Sequence, residues 1–146
     1  MKNTYQSINI DAPIDEIWNI VHDFHNFSWA PKVITSCIPL GSKSGIEVGA
    51  KRLLNNVFYE TLLELNHETR TIRYSIDNGP SPVSNTEVSN YIGQIHLSPG
   101  TKDDSTYVEW LSSWDSDSDD AIEFCHNIYV ALLDSLAETI EQKQNV

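Results

Sequence analysis

The sequence of 146 residues contains no apolar run close to the ~20 residues that a membrane-spanning helix requires. No apolar stretch follows Lys2, where a secretion signal would carry one, so we expect a cytoplasmic protein. Basic residues are also scarce, because 9 Lys and Arg stand against 21 Asp and Glu and give a net charge of -12. Such a polyanion repels phosphate backbones and anionic headgroups, which argues against nucleic acid and membrane surfaces as partners.

Cysteine is rare, and its two residues, Cys37 and Cys125, lie far apart in the sequence among apolar neighbours. This usage is typical of reduced, buried thiols rather than of a disulfide framework. His22 and His25 have no further ligand at a suitable spacing, and residues 115–120 (DSDSDD) lack the glycine and the glutamate of a calcium loop. No phosphate-binding glycine loop or nucleophile motif is present, so the sequence indicates neither a metal nor a cofactor.

Hydrophobic residues make up 40% of the chain and charged residues 21%, a balance that supports one folded core. No repeat, linker or low-complexity tract divides residues 1–146, and we expect a single domain. After a predicted strand at 5–10, apolar residues at helical spacing predict a short helix over 14–21, and residues 24–30 are predicted to form a second. A broad apolar stripe predicts a long helix over about 119–142.

Between these helices, apolar and polar residues alternate with a period of two, which is typical of half-buried strands. The predicted strands are 33–38, 48–54, 58–65, 71–76, 87–97 and 107–114. Turn-rich joints separate them, which favours an antiparallel meander. We therefore predict an α+β fold in which a curved antiparallel sheet of about seven strands wraps the long C-terminal helix, with two short helices after the first strand. A space is expected between helix and sheet.

Strand parity indicates a polar patch in the wall of that space. If residues 55–57 form a three-residue hairpin loop, Arg52 lies opposite Glu60 and Leu54 lies opposite Phe58. Charges in an apolar layer are costly unless they are paired, so an inward Arg52–Glu60 pair would mark a polar site. An outward pair would be a surface salt bridge of little energetic value. Parity alone leaves both faces open.

Aromatic residues with polar tips fall on the same strand faces. Tyr74, Tyr91 and Trp110 occupy alternate positions in three strands, while Phe27 and Trp29 lie where the short helices would close one end of the space. Tyrosine and tryptophan combine a large ring with one hydrogen-bonding group, so they suit a pocket that holds a ring and orients a carbonyl or hydroxyl group. The alternative is that these side chains only fill the core.

The motifs and their order resemble the polyketide cyclase/dehydrase branch of the START-like (SRPBCC, Bet v 1-like) superfamily. The residues that carry the resemblance are 11–18 (DAPIDEIW), 26–31 (NFSWAP), 48–52 (VGAKR), 59–63 (YETLL), 70–74 (RTIRY) and Trp110. The resemblance covers nearly the whole chain and implies a helix-grip fold around a cavity for apolar or amphipathic molecules, with Arg52 and Glu60 facing inward. Members include aromatase/cyclases, ligand receptors and lipid carriers, so the resemblance implies no single chemistry.

Two functions follow as hypotheses. The first is a non-catalytic module that binds or carries a small, largely apolar molecule, aromatic or lipid-like, and no pattern specifies an oligomeric state. Its candidate ligand-binding residues are Phe27, Trp29, Arg52, Glu60, Tyr74, Tyr91 and Trp110. The second is an enzyme like the cyclases, in which Arg52 stabilises an enolate, a tyrosine donates a proton and Glu60 accepts one. We favour the first, because Arg52 is expected to lower the pKa of Glu60 and weaken it as a base.

Overall fold

The computed structural model describes residues 1–145 and contains seven strands and two helices in this part of the chain. The chain begins with strand β1 (Lys2–Ile10) and helix α1 (Ile14–Val21), and it ends with the long helix α2 (Asp120–Gln144). The strands between the helices are β2 (Cys37–Leu40), β3 (Lys51–Leu54), β4 (Phe58–Asn66), β5 (Thr71–Asn78), β6 (Ser89–Pro99) and β7 (Thr106–Asp115). The predicted α+β element order is therefore confirmed, apart from the second short helix.

The strands form one curved antiparallel sheet in the order β1-β7-β6-β5-β4-β3-β2. Strands β2 to β7 follow one another as a meander, and β1 returns to pair with β7 along its whole length. In β7 buried and half-buried side chains alternate from Thr106 to Trp114, which is the period of two that the sequence displays. One face of the sheet is therefore apolar and needs a covering element.

Helix α2 covers the apolar face of the sheet. Its buried residues recur at three- and four-residue steps, as expected for a helix with one apolar stripe. They include Ala121, Cys125, Tyr129, Leu132, Leu133, Leu136 and Ile140. No helix in the described part of the chain has both the length and the apolar character needed to cross a membrane.

The β3–β4 hairpin has the predicted register. Arg52 pairs with Glu60 and Leu54 with Phe58, so residues 55–57 form the three-residue loop. Asn55 and Asn56 both have positive φ angles, of 51° and 61°, which asparagine tolerates better than most residues. The loop sequence therefore fixes the register, and the register decides which side chains share a face.

The prediction of a second short helix over 24–30 is wrong, because this segment forms successive turns. The Asn26 carboxamide oxygen accepts hydrogen bonds from both the N–H (3.1 Å) and the hydroxyl (2.7 Å) of Ser28. Asp23 accepts another from the N–H of His25 at 2.9 Å. Such local side-chain bonds to the backbone compete with helical hydrogen bonds, which is why the segment leaves the helical conformation.

The turns give this segment an inward-facing aromatic edge. Phe24, Phe27 and Trp29 are all at most 5% exposed. On a helix, residues two apart point roughly 200° from each other, so Phe27 and Trp29 would not share a face. The turn conformation instead brings these two rings into contact, with their centroids 4.7 Å apart and their planes tilted by 31°.

The predicted strands at 33–38 and 48–54 begin later than expected, at Cys37 and Lys51. Residues before Cys37 are held by the hairpin loop, because the Asn55 side-chain oxygen accepts the backbone N–H groups of Thr35 (2.8 Å) and Ser36 (3.3 Å). Strand β2 is also an edge strand, where Pro39 is tolerated because its missing N–H is not needed by a second neighbour.

Candidate functional site

An internal cavity of about 30 Å³ lies between the sheet and α2. Its volume is enough for about two water molecules. Six of the seven residues predicted as ligand-binding line it. They are Phe27, Arg52, Glu60, Tyr74, Tyr91 and Trp110. The predicted space between the sheet and α2 therefore exists, but side chains fill most of it.

The charged part of the site is a buried ion pair between neighbouring strands. Arg52 and Glu60 are each 5% exposed. The Arg52 Nε and Nη2 atoms both donate to Glu60 Oε1, at 2.9 and 2.6 Å, and Nη1 donates to the backbone carbonyl of Phe24 at 3.0 Å. The guanidinium carbon also lies 3.7 Å from the Phe24 ring centroid and 4.7 Å from that of Phe27. The pair faces inward, which resolves the alternative that parity left open.

The pKa of Glu60 is raised above its ordinary value. Burial is the largest cause, and it outweighs the lowering by the charge and hydrogen bonds of Arg52. The prediction that the pKa of Glu60 is lowered is therefore wrong. Arg52 does lower this pKa, as expected, but burial raises it by more. Glu60 is consequently a stronger base than a glutamate in an exposed ion pair.

The second polar group of the site is a cluster of hydroxyl groups, which we call the tyrosine cluster and define as Tyr74, Tyr91 and Tyr129. The indole N–H of Trp110 donates to the Tyr74 hydroxyl at 3.0 Å. The Tyr129 hydroxyl lies 2.9 Å from that of Tyr74 and 2.6 Å from that of Tyr91. Burial raises the pKa of all three phenols well above 10, so they are neutral at physiological pH and can donate hydrogen bonds.

Two residues at the centre of the site, Tyr129 and Cys125, were not predicted as site residues. Both lie on α2, and both line the cavity. The sequence analysis placed them in the apolar stripe of the helix, where they do belong. The signal for Tyr129 is that it places a hydroxyl group within an aliphatic stripe, and such a group needs a partner when buried.

Trp29 is the predicted site residue that the structure places outside the cavity lining. Its ring stands behind Phe27, and its centroid lies 6.3 Å from that of Trp110. Its indole N–H donates to the backbone carbonyl of Asn26, and its own carbonyl accepts a hydrogen bond from the Thr139 hydroxyl at 2.8 Å. Trp29 therefore supports the wall of the site and joins the turn segment to α2.

The thiol of Cys125 is unsuited to nucleophilic chemistry. Burial raises its pKa from 9.0 to about 11, so very little thiolate is present at neutral pH. Within residues 1–145, no group of three or more His, Cys, Asp and Glu side chains is arranged to hold a metal ion. The chemistry available at the cavity is therefore that of a carboxylate, a guanidinium group and neutral phenols.

Four of the cavity-lining side chains are only partly buried. Phe58 and Ile76 lie at the adjoining ends of β4 and β5, and Phe124 and Ile128 lie in the first half of α2. We call these four residues the mouth. They form the part of the apolar wall that is nearest to solvent.

A curved antiparallel sheet that grips a long C-terminal helix, with buried polar groups in between, defines the helix-grip class of proteins. Within that class, the sequence profile of the family described as polyketide cyclase/dehydrase and lipid transport matches residues 1–141. The chain belongs to this family. No match is found among curated proteins.

Solved structures support the same assignment. A protein of Nitrosospira multiformis is 47% identical and superposes with a TM-score of 0.92, covering 94% of each chain. The protein XoxI from Bacillus cereus is 26% identical, with a TM-score of 0.77 and 94% coverage of each chain. Norcoclaurine synthase from Thalictrum flavum, solved with dopamine and hydroxybenzaldehyde, is 17% identical with a TM-score of 0.76, covering 97% of this chain and 87% of that one. At that identity the likeness concerns the fold alone.

Proposed function

We propose that the protein binds a small, largely apolar molecule between the sheet and α2, with the polar end of the molecule at the Arg52–Glu60 pair and the tyrosine cluster. The observation that carries the proposal is the convergence of these polar groups on one otherwise apolar cavity. A core built only for stability gains little from a buried ion pair, since well-packed hydrophobic residues of the same volume serve as well. Apolar walls with a few converging polar groups are typical of small-molecule sites.

Binding requires the cavity to enlarge. Ligand pockets usually have volumes of at least roughly 300 Å³, well above the 30 Å³ of this cavity. The mouth residues are the side chains with most freedom to move, because Phe58 and Ile128 each have one side towards solvent. We therefore place the route of the ligand between the start of β4, the end of β5 and the first half of α2.

The test combines native mass spectrometry of the purified protein with titration of 1-aminoanthracene, an uncharged fluorescent probe of apolar sites. The expected results are a co-purifying small molecule, or binding of one probe molecule per chain with increased emission. Ile128→Phe fills the mouth from within and should abolish probe binding. Val130→Phe adds a ring to the same helix at a position that is 38% exposed, and it should leave binding intact.

Equal probe binding by both variants would place the probe elsewhere and count against the proposal. Absence of any co-purified molecule together with absence of probe binding would overturn it. Circular dichroism of the two variants establishes that each retains the fold.

A second candidate function is a reaction of the cyclase/dehydrase type at the same cavity. It is favoured by one observation, the raised pKa of Glu60, which makes this carboxylate a better proton acceptor than the sequence suggested. The neutral phenol of Tyr74, which lies close enough to interact with Glu60, supplies a proton donor. The test is to incubate a co-purified molecule with the protein and follow it by chromatography and mass, because dehydration removes one water molecule whereas ring closure alone conserves the mass. A new product with the parent protein that is absent with Glu60→Gln supports catalysis, and an unchanged molecule supports binding alone.

A further inference from the structure

The tyrosine cluster and the indole N–H of Trp110 together contain one more donor hydrogen than they use. Their donors are four, namely this indole N–H and the hydroxyl groups of Tyr74, Tyr91 and Tyr129. Three hydrogen bonds connect these groups, from Trp110 to Tyr74, between Tyr74 and Tyr129, and between Tyr129 and Tyr91. Each bond consumes one hydrogen, so one hydroxyl hydrogen is left over whichever way the bonds run.

The spare hydrogen belongs to a residue in the cavity wall. All three hydroxyl-bearing residues line the cavity, so a ligand that enlarges it can reach the hydrogen whichever of them carries it. Tyr91 also lies beside the Cys125 thiol and the Ser112 hydroxyl. Thiol sulfur is a weak acceptor, and Ser112 lowers the pKa of Tyr91 as a hydrogen-bond donor does, so it does not take up the spare hydrogen. A ligand oxygen is therefore the stronger partner for this hydrogen.

The charged half of the site is not suited to an anion. The positive charge of Arg52 is neutralised by Glu60, and three of its five N–H groups, one on each guanidinium nitrogen, already donate to oxygen atoms. A carboxylate brought into the cavity would lose its hydration without gaining a free cation, and it would meet the carboxylate of Glu60. The net charge of -12 also repels anions from the protein as a whole.

On the basis of the function proposed above, we propose that the ligand is an uncharged molecule that presents a hydrogen-bond-accepting oxygen, such as the carbonyl of a ketone or aldehyde, to the tyrosine cluster. Carboxylates, including free fatty acids, are excluded from the cavity. The cluster selects for the acceptor, and the neutralised ion pair selects against the anion.

Three aromatic compounds of similar shape test this inference. Acetophenone carries a carbonyl, α-methylstyrene has a CH2 group in place of the oxygen, and benzoate carries a carboxylate. Each is titrated into isotope-labelled protein, and the backbone amide shifts of residues around the cavity report binding. We expect acetophenone to bind about fivefold more tightly than α-methylstyrene, as one net hydrogen bond allows, and benzoate to bind more weakly than either.

A second readout reports the hydrogen bond itself. The C=O stretching frequency of bound acetophenone should lie below its value in alkane, because a donor withdraws electron density from the carbonyl. The hydrogen count further predicts that Tyr91→Phe keeps the preference for acetophenone, since this variant removes one donor and one bond and still leaves one hydrogen spare. Replacing Trp110 together with all three tyrosines of the cluster by phenylalanine removes all four donors and should abolish the preference, while Tyr59→Phe, at an exposed position, should not change it.

The outcomes separate the two proposals. Failure of all three compounds to bind counts against the proposed function and the inference together. Binding of benzoate or α-methylstyrene as tightly as acetophenone, or an alkane-like carbonyl frequency in the bound ketone, overturns the inference and leaves the binding function standing. The frequency is measured on the parent protein, so it decides the question even if the quadruple variant does not fold.

Discussion

Arg52 Nη2 lies 2.6 Å from Glu60 Oε1, and both side chains are 6% exposed. Because the pair is buried, removing one partner leaves an uncompensated charge in an apolar wall. Arg52→Ala should therefore lower the free energy of unfolding by about 3–5 kcal/mol, measured by chemical denaturation. The exposed Lys32–Glu138 pair is the matched control, and Lys32→Ala should have little effect.

A double-mutant cycle isolates the interaction between the two side chains. Replacing Arg52 and Glu60 together should cost less than the sum of the two single replacements, because neither charge is then left alone. Additive single effects would mean that the two groups do not interact in solution as they do in this structure.

The tyrosine cluster should make the fold sensitive to alkali. Burial raises the folded-state pKa of Tyr74, Tyr91 and Tyr129 well above 10, whereas an unfolded tyrosine ionises near 10. Their contribution to stability is complete below pH ~10 and is lost as the pH rises towards the folded-state values. In an alkaline titration, the phenolate absorbance of these three of the six tyrosines should appear together with loss of far-ultraviolet circular dichroism. Reversible ionisation of all six with the fold intact would contradict this expectation.

Cys125 should be nearly inert in the folded protein. A pKa raised from 9.0 to about 11 lowers its thiolate fraction ~100-fold at neutral pH, and burial slows access further. The measurement is the rate of iodoacetamide alkylation of Cys37→Ser, in which Cys125 is the remaining thiol, in native buffer and in denaturant. Cys125→Ser, which retains the half-buried Cys37, is the companion variant. Native and denatured rates that agree within about tenfold would show that the thiol is accessible.

Gly93 makes room for the ring of Tyr74 on the neighbouring strand. The two residues are paired between β5 and β6, and a methyl group on Gly93 would lie 2.2 Å from Tyr74 Cζ. Gly93→Ala should displace this ring from its hydrogen bonds and lower the free energy of unfolding by about 1–3 kcal/mol. The same substitution should cost less in a Tyr74→Leu background, where the ring is absent. An equal cost in both backgrounds would assign the effect to the strand backbone instead.

The features that follow from local periodicity could be predicted from the sequence. The alternation of apolar and polar residues predicts the strands. The three-residue loop 55–57 predicts that Arg52 pairs with Glu60, because the register of a hairpin is set by the length and turn type of its loop. The turns at 24–30 could not be predicted in this way. Their apolar spacing is compatible with a helix, and the hydrogen bonds of Asn26 that break it appear only when the segment is folded.

Three properties of the site depend on contacts between different elements of the fold, which a pattern of residues does not encode. The pKa of Glu60 results from burial against the charge of Arg52, and neither distance nor depth is encoded in a pattern of residues. The role of Tyr129 depends on hydroxyl groups from two other strands meeting it, and a helical stripe shows only that the residue is buried. The volume of the cavity could not be predicted either, since it depends on how side chains from several elements fill one space.

The bond from the Thr139 hydroxyl to the Trp29 carbonyl anchors the second half of α2 to the turn segment, while the mouth lies beside the first half of the same helix. The helix is therefore held firmly at one end and covers a loosely closed cavity at the other. Local opening at the first half needs to break fewer buried contacts than global unfolding does. In amide hydrogen exchange, residues 121–128 should exchange through a low-energy fluctuation, whereas residues 132–140 should exchange only when the whole fold opens. The proposed ligand uptake and thermodynamic stability then depend on different parts of one helix, and each can change in evolution without the other.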